Sequence, residues 1–371
     1  MNWPRAPLLL VASSSRTGPA EGQIALARFL RAQGLDARVA ADSVKPGDIG
    51  DQLAQAGVPF VRELKLSRHV RPGEILHDAR TLRGWVLQGS PDVLQAAFAH
   101  DHLLALWAAR GTKALVVRTA HRWIDVQPGP LGVRVWALRK SDGVVVHAAS
   151  YRARLLELGL APERVLHLAG GVDANQFTPG RAEALRAQWG VAEDAPLAGI
   201  VARMKPERGH EQLLRAFANV QAPGARLVLI GRGEDEPRLR ALAEEVAPGR
   251  VIFGGYLRGP GLVEAYRALD VAVWLREGND GACRGVLEAM ACGVPVVAGH
   301  LGAPPELVGD TGRVTRDQPE LTSALDELLS DLPLARKLGL AARARAGTHT
   351  QERTGAAVLA FWQRLHALAQ T

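Results

Sequence analysis

Asp280 and Glu288 stand eight residues apart around a small-residue loop, Gly281-Ala282-Cys283-Arg284-Gly285. That loop runs into an apolar helical stretch closed by Gly293. A loop that opens a helix leaves unpaired backbone N–H groups, which suit an anion such as a phosphate. Glu288 falls about one turn into the helix, and a carboxylate there can accept hydrogen bonds from the neighbouring hydroxyls of a ribose or sugar. A capped structural helix explains the same residues without a ligand. A second group is basic: Arg203, Lys205 and Arg208 lie in a loop ending at Gly209. Read on its own, it is a solvated basic loop. A third is His121, between Arg118 and Arg122 at the end of an apolar run, where it could hydrogen-bond a ligand in an anionic neighbourhood.

Other patterns exclude chemistry. No Gly-Lys pair exists, so there is no P-loop. Gly231-Arg232-Gly233 follows an apolar run, but the third fingerprint position is Glu236, whose charge would oppose a pyrophosphate. The two glycines suit a tight turn with close backbone approach, and a plain turn fits as well as ligand contact by Gly231. His100-Asp101-His102 resembles a metal cluster, yet residues i and i+2 of a helix point apart. A structural or acceptor-side role fits better, and no metal or other cofactor is expected.

The elements that must position these residues alternate. Strands are expected at 8–12, 37–41, 85–88, 114–118, 144–147 and 165–168, with helices at 24–33, 93–110 and 150–158. The pattern restarts with strands at 197–202, 226–230, 251–253, 271–274 and 294–298, and helices at 211–220, 236–246, 262–269 and 284–292. Such alternation predicts an α/β protein with two parallel, doubly wound sheets, whose ligands bind at the carboxyl ends of the strands. Residues 170–180 read as the linker. The expected domains are 1–175 and 176–351, with a return helix at 352–371 that carries an apolar stripe from Val358 to Leu368.

Length and composition agree with two globular domains: 371 residues, 47% hydrophobic and 22% charged. Cys283 and Cys292 alone cannot build a disulfide framework. The apolar run at 8–12 is too short for a signal-peptide core, and the expected setting is soluble, reduced and cytoplasmic. The net charge of +7 is lopsided. Residues 1–180 hold 22 Lys+Arg against 15 Asp+Glu, and the remainder hold 23 against 23. A basic half suits an anionic membrane or substrate; aromatics at 5% and the lack of a recognition motif argue against nucleic acid. Composition bias alone accounts for the surplus equally well.

The segment from Asp280 to Val297 resembles the E-x7-E signature of the retaining family 4 (group 1) glycosyltransferases of GT-B fold, with Asp280 in place of the first Glu. Residues 202–209 resemble the family's G-R-x4-K-G loop, with Arg203 at the Arg and Arg208 at the Lys. Residues 170–179 resemble its N-G-V-D-x3-F-x-P linker, with Gly170 for Asn. Residues 253–258, ending at Arg258, resemble the loop flanking the nucleobase. Residues 18–22, beginning Gly18-Pro19, resemble G-G-A-E-R, and 117–121 resemble V-R-T-x-H.

The resemblance implies two Rossmann-like domains facing across a cleft. It implies a nucleotide-sugar donor held in the second domain by Arg203, Arg208, Gly231, Arg258, Gly281, Ala282, Cys283, Arg284 and Glu288. Gly18 would contact phosphate or acceptor, and His121 with Asp280 would face the donor sugar. Two cations beside a departing diphosphate would stabilise the charge that develops there. The implied reaction is sugar transfer to a hydroxyl of a glycan or lipid-linked acceptor, with retention of configuration. A noncatalytic nucleotide-sugar-binding protein and a GT-B epimerase are the rival readings. Arg62, Lys65, Arg68 and Arg71 recur every third residue and are the expected peripheral contact with an anionic inner membrane face. No amphipathic anchor stands out.

Overall fold

The computed structural model describes residues 3–15, 17–67, 71–276 and 282–370. The chain folds into two compact units. One holds Met1–Gly171, Asn279–Ala282 and Gln351–Thr371; the other holds Val172–Gly278 and Cys283–Thr350. Val172 N donates to His349 O (2.9 Å) and Val172 bridges Thr350, so the chain enters and leaves the second unit side by side.

The first unit runs β1 (Pro7–Val11), α1 (Gly18–Ala32), β2 (Arg38–Ala41), α2 (Ile49–Gln55), β3 (Phe60–Val61), α3 (Pro72–Leu87), β4 (Val93–Ala96), α4 (Ala99–Ala109), β5 (Leu115–Ala120), α5 (Val133–Lys140), β6 (Gly143–Val146), α6 (Ala149–Glu157) and β7 (Val165–His167). Its seven strands are parallel in the order β3-β2-β1-β4-β5-β6-β7. The second unit runs α7 (Glu183–Gln188), β8 (Leu197–Val201), α8 (His210–Phe217), β9 (Arg226–Ile230), α9 (Glu236–Val246), β10 (Val251–Gly255), α10 (Pro260–Ala268), β11 (Val271–Trp274), α11 (Arg284–Ala291), β12 (Val296–Gly299), α12 (Pro304–Val308), β13 (Arg313–Thr315), α13 (Gln318–Ser330) and α14 (Leu332–Ala346). Its sheet is parallel in the order β10-β9-β8-β11-β12-β13. The strand order reverses between β1 and β4 and between β8 and β11, and in such sheets ligands bind beyond the carboxyl ends at that point.

Two of the expected elements are of a different type in the structure. Residues 85–88 close α3 instead of forming a strand. The stretch 93–110 is not one helix but β4 followed by α4. Its near-continuous apolar character mimics a buried helix, as fully buried parallel strands do. The break is made by Asp101, whose Oδ1 accepts from Phe98 N (2.7 Å) and so caps α4. Helix α1 also begins earlier than expected, at Gly18. Thr17 Oγ1 accepts from Ala20 N (3.4 Å). Pro19 lies in the first turn, where its missing N–H would have had no helical partner.

The last helix, α15 (Gln351–Leu368), belongs to the first unit. Val358, Phe361, Trp362 and Leu365 join the core formed by β1, α1 and β5. A Cβ on Gly355 would stand 2.4 Å from the Phe29 ring, so glycine lets α15 close on α1. Trp362 is fully buried, and its Nε1 donates to Oε1 of the buried Gln95 (3.0 Å). Trp362→Ala should cost the first unit about 3–5 kcal/mol in urea unfolding through lost burial and cavity formation. Trp362→Phe should cost about 1–3 kcal/mol, because Gln95 loses its donor. Unchanged midpoints in both would show that α15 is not part of this core.

Candidate functional site

In the second unit, loops after β8, β9 and β10 are laced by main-chain hydrogen bonds. Ala202 N donates to Ile230 O (3.0 Å), Met204 N to Arg232 O (3.1 Å) and Gly231 N to Gly255 O (2.8 Å). A Cβ on Gly231 would lie 2.0 Å from Ala202 O, and one on Gly233 2.0 Å from Met204 O. The paired glycines therefore serve backbone approach, and they hold the basic loop against β9. Arg203 and Arg258 are exposed, and neither side chain is hydrogen-bonded or ion-paired within the described residues. Lys205 is tied to Glu234 (3.0 Å). Arg208 closes a short 3-10 turn, Pro206–Arg208. Gly209 (φ 85°) then starts α8, with its α-carbon against Leu275, just past β11.

Glu288 is buried on α11. Its Oε2 accepts from Tyr266 OH (3.0 Å) and its Oε1 from Arg284 Nε (2.8 Å). These two donors fix the plane of the carboxylate and leave each oxygen further acceptor capacity. Burial, and then the Glu288 charge, push the Tyr266 phenol well above its ordinary range, so it stays a donor. Cys283 is fully buried at the start of α11 in a left-handed conformation (φ 46°). Burial raises the Cys292 thiol to about 12, so it is not a nucleophile near neutral pH. Ala282 lies against Gly170: a Cβ there would meet Ala282 O at 2.6 Å. That gives Gly170 a steric reason to replace Asn. Asp280 and Gly281 lie outside the described residues.

In the first unit, His121 follows β5. Both ring nitrogens are buried without a hydrogen-bond partner among the described residues. Burial, then His147, Arg118 and Arg122, hold its pKa well below 6.5, so the ring is neutral at pH 7. It presents one N–H and one lone pair, and its ring centroid lies 5.4 Å from that of His147 and 6.5 Å from Phe98. His147 Nδ1 lies 2.8 Å from Leu168 O and, facing a carbonyl, is the donor. Arg118 is itself buried rather than open to an anion: Nη1 donates to Ala96 O (3.2 Å) and Nη2 lies 3.9 Å from Asp125. Arg122 pairs with Asp125 (3.3 Å), whose Oδ2 also accepts from His121 N (3.2 Å) and Arg122 N (3.0 Å). Gly18 is half-buried at the start of α1.

Asp101 is structural. It accepts from Phe98 N and Ala12 N (3.2 Å), and burial, opposed by Arg118, raises it to about 7. His102 Nε2 contacts Ser141 Oγ (2.6 Å), whose own proton goes to Ala137 O (3.0 Å), so the imidazole donates. Among the described residues no group of three His, Cys, Asp or Glu is placed to hold a metal ion. His147, Asp125 and Tyr266 were not singled out as site residues from sequence. His147 had a signal, since it ends an apolar run as His121 does; Tyr266 had none.

The glycosyl transferases group 1 model matches residues 181–345, and the glycosyltransferase family 4 model matches residues 20–176. The GDP-mannose-dependent alpha-mannosyltransferase of Mycobacterium tuberculosis is 30% identical over 314 residues, covering 78% of this chain and 77% of that protein. The chain belongs to the group 1, family 4 glycosyltransferases. The D-inositol 3-phosphate glycosyltransferase of Stackebrandtia nassauensis is 34% identical over 232 residues, 58% of this chain, and the match spans about half (52%) of that relative. Among solved structures, Anabaena Alr3699/HepE in complex with UDP and glucose aligns with a TM-score of 0.79 at 19% identity, over 99% of this chain and 100% of that one. The fold of this glycosyltransferase is GT-B, built from two Rossmann-like sheets.

His210, at the first position of α8, is fully buried. Both its nitrogens lack partners among the described residues. Burial outweighs the Asp235 charge and lowers its pKa to about 4. With the folded value below the unfolded 6.5, its contribution to stability is complete above pH 6.5 and is lost as pH falls towards 4. His210→Gln should therefore flatten the acid limb of a stability–pH profile by about 1.4 kcal/mol per pH unit across that window. Urea melts between pH 7 and 4.5 measure it, and an unaltered slope would refute a buried neutral His210.

Proposed function

We propose that this chain is a cytoplasmic retaining glycosyltransferase. It moves a sugar from a nucleoside diphosphate to a hydroxyl of a glycan or lipid-linked acceptor. The observation that carries the reading is His121: a buried, neutral imidazole whose two nitrogens have no partner among the described residues, at the carboxyl end of a parallel sheet. Buried polar groups are normally paired, and such an exception calls for a ligand. A sugar hydroxyl is both donor and acceptor and matches it. In the second unit, Arg203 and Arg208 are assigned to the diphosphate, and Arg258 to the nucleotide. The start of α11 at Cys283 and Arg284 is assigned to offer backbone N–H groups, and Gly281 and Asp280, which lie outside the described residues, are assigned to the donor. Glu288, already oriented by Tyr266 and Arg284, is assigned to the ribose. No nucleophilic carboxylate is assigned. The reading is a front-face displacement in which the leaving diphosphate helps to deprotonate the acceptor, without a metal.

The names of the relatives, GDP-mannose-dependent among them, make GDP-sugars the first donors to test beside UDP- and ADP-sugars. Thermal-shift screening identifies the donor, since a ligand of the native state raises stability by mass action. Transfer with retained anomeric configuration, read by NMR, tests the reaction. Binding without transfer to any acceptor would leave a nucleotide-sugar-binding protein.

Membrane contact through the basic ladder is part of the proposal in reduced form. Arg62 lies over the Phe60 ring (4.6 Å), Arg71 pairs with Glu74 (3.0 Å), and Arg68 lies outside the described residues. Lys65 and Arg62 are what remain for a lipid phosphate. No helix among the described residues is long and apolar enough to cross a membrane.

Arg203→Ala and Arg208→Ala should each lose about 2–4 kcal/mol in kcat/KM, through lost stabilisation of the diphosphate charge. Turnover equal to the parent in both would remove the clamp. Glu288→Gln should weaken binding of the nucleoside diphosphate as well as of the donor. Tyr266→Phe, which frees one side of that carboxylate, should do so more mildly. Calorimetry finding both nucleotides unaffected would take ribose away from Glu288.

A further inference from the structure

The register of the first sheet places a second imidazole beside His121. Strands β5 and β6 pair in parallel with Ala120 opposite Val146, so the residues that follow, His121 and His147, come side by side beyond the sheet. Their ring centroids are 5.4 Å apart with 33° between the planes, and both side chains are buried. The two rings are held differently. Asp125 accepts from the backbone N–H of His121, but the His121 ring has no hydrogen bond among the described residues. A ring held by no hydrogen bond takes its angle from packing, and the rings beside it are His147 and Phe98, the latter at 6.5 Å. His147 is anchored. Leu168 N donates to Val146 O (2.9 Å) and Leu168 O accepts from His147 Nδ1 (2.8 Å), so the residue after β7 grips the end of β6 twice. The second of these bonds also fixes the tautomer of His147, with its proton on Nδ1.

Charge gives the same neighbour a second effect. Two imidazoles in one buried enclosure cannot both hold a proton without strong repulsion, because like charges at this range interact through a low dielectric. The other charged groups around His121 largely answer one another. Arg118 on β5 lies between Asp101 of α4 and Asp125, and Arg122 is paired with Asp125 in the turn that follows. After burial, His147 is the largest influence holding His121 below the ordinary histidine value, ahead of either arginine. Neutrality decides what His121 can do. A neutral ring offers one donor and one acceptor, and a protonated ring offers two donors and no acceptor. Only the neutral form can answer both the oxygen and the hydrogen of a hydroxyl.

We propose that His147 is a positioning residue for His121: anchored on Leu168 O, it sets the angle of the neighbouring ring and keeps that ring in its neutral form. This role rests on the reading of His121 as the group that meets a ligand hydroxyl.

Two variants separate the anchored ring from an empty place. His147→Ala removes the ring and leaves room for water, whereas His147→Gln keeps an N–H for Leu168 O. His147→Ser leaves the same room and replaces His147→Ala if the latter does not fold. Histidine ring titration of the full chain by NMR, with His121→Gln to assign the signal, reads the charge of His121 without any sugar donor. In the parent the signal should stay fixed from about pH 8 to about pH 5. In His147→Ala water reaches the ring and the like charge is gone, so the His121 value rises towards the ordinary one. The signal should then titrate within that range, the ring charging as pH falls. Transfer assays with a donor found by thermal shift add a functional readout. His147→Ala should lower kcat about tenfold at the acid end and less at the alkaline end, with the donor KM changed by less than about twofold. His147→Gln should recover most of that loss. A His121 signal that titrates in the parent, one that stays fixed in His147→Ala, or equal kcat losses at both ends with Gln no better than Ala would each overturn the proposal. The expected titrations without transfer to any acceptor would uphold the coupling of the two rings while refuting the function proposed above.

Discussion

One buried guanidinium organises the ligand end of the first sheet. Arg118 sits on β5 with almost no exposure, between Asp101 and Asp125. Each carboxylate spends its oxygens on backbone N–H groups of a different loop. Asp101 takes Ala12 after β1 and Phe98 after β4, and Asp125 takes His121 and Arg122 after β5. Three strand ends are thus referred to one positive charge. The arrangement is costly by itself, because burial presses the guanidinium downward and lifts Asp101 to about 7. Such clusters are poor sources of stability, and losing one partner of a buried pair costs about 3–5 kcal/mol. What the cluster secures is geometry: the backbone of His121 is fixed by Asp125, so its ring has a fixed place.

The second unit reaches the same end with main chain instead of charge. Gly231 and Gly233 remove the side chains that would collide with Ala202 O and Met204 O, and the basic loop is then stitched to β9 by backbone bonds. Of the cations of that loop, Arg203 is exposed and Lys205 and Arg208 are half-buried. Lys205 has Glu234, and nearby Arg238 on α9 is forked onto Asp235 (2.7 and 2.9 Å), while Arg203 and, after β10, Arg258 have no side-chain partner among the described residues. Exposed pairs of this kind contribute little to stability. Their effect is to decide which cations are spoken for.

Much of this was legible in the sequence, and the parts that were not have a common cause. Strand and helix alternation could be read because buried parallel strands and amphipathic helices differ in period. It failed at 93–110, where a fully buried strand and a buried helix have the same composition. The signature from Cys283 to Glu288 and the Arg203 loop could be read because fixed backbone geometry demands small residues at fixed spacing. The partners Tyr266 and Asp125 could not, since nothing local marks a side chain whose role is to meet another element.

The two candidate sites differ in electrostatic character, and the difference follows from what each can solvate. The first unit gathers groups whose charge has been suppressed. His121 is neutral, His102 is held near 3 by burial, and burial lifts Asp101 far above the usual carboxylate range. Its buried cation, Arg118, is enclosed by carboxylates, and Arg122 is paired with Asp125. A highly charged ligand placed there would lose its hydration and find few free counter-charges; a neutral, hydroxyl-rich one would find a donor and an acceptor in a fixed place. The second unit does the reverse. It leaves Arg203 and Arg258 exposed, and keeps a buried carboxylate, Glu288, oriented by two donors. A nucleoside diphosphate needs both features at once, cations for its phosphates and an acceptor for its ribose. On the proposed function, desolvation sets the division of labour between units: the polyanion is assigned to the unit whose cations are exposed, and the hydroxyl to the unit whose imidazole is buried.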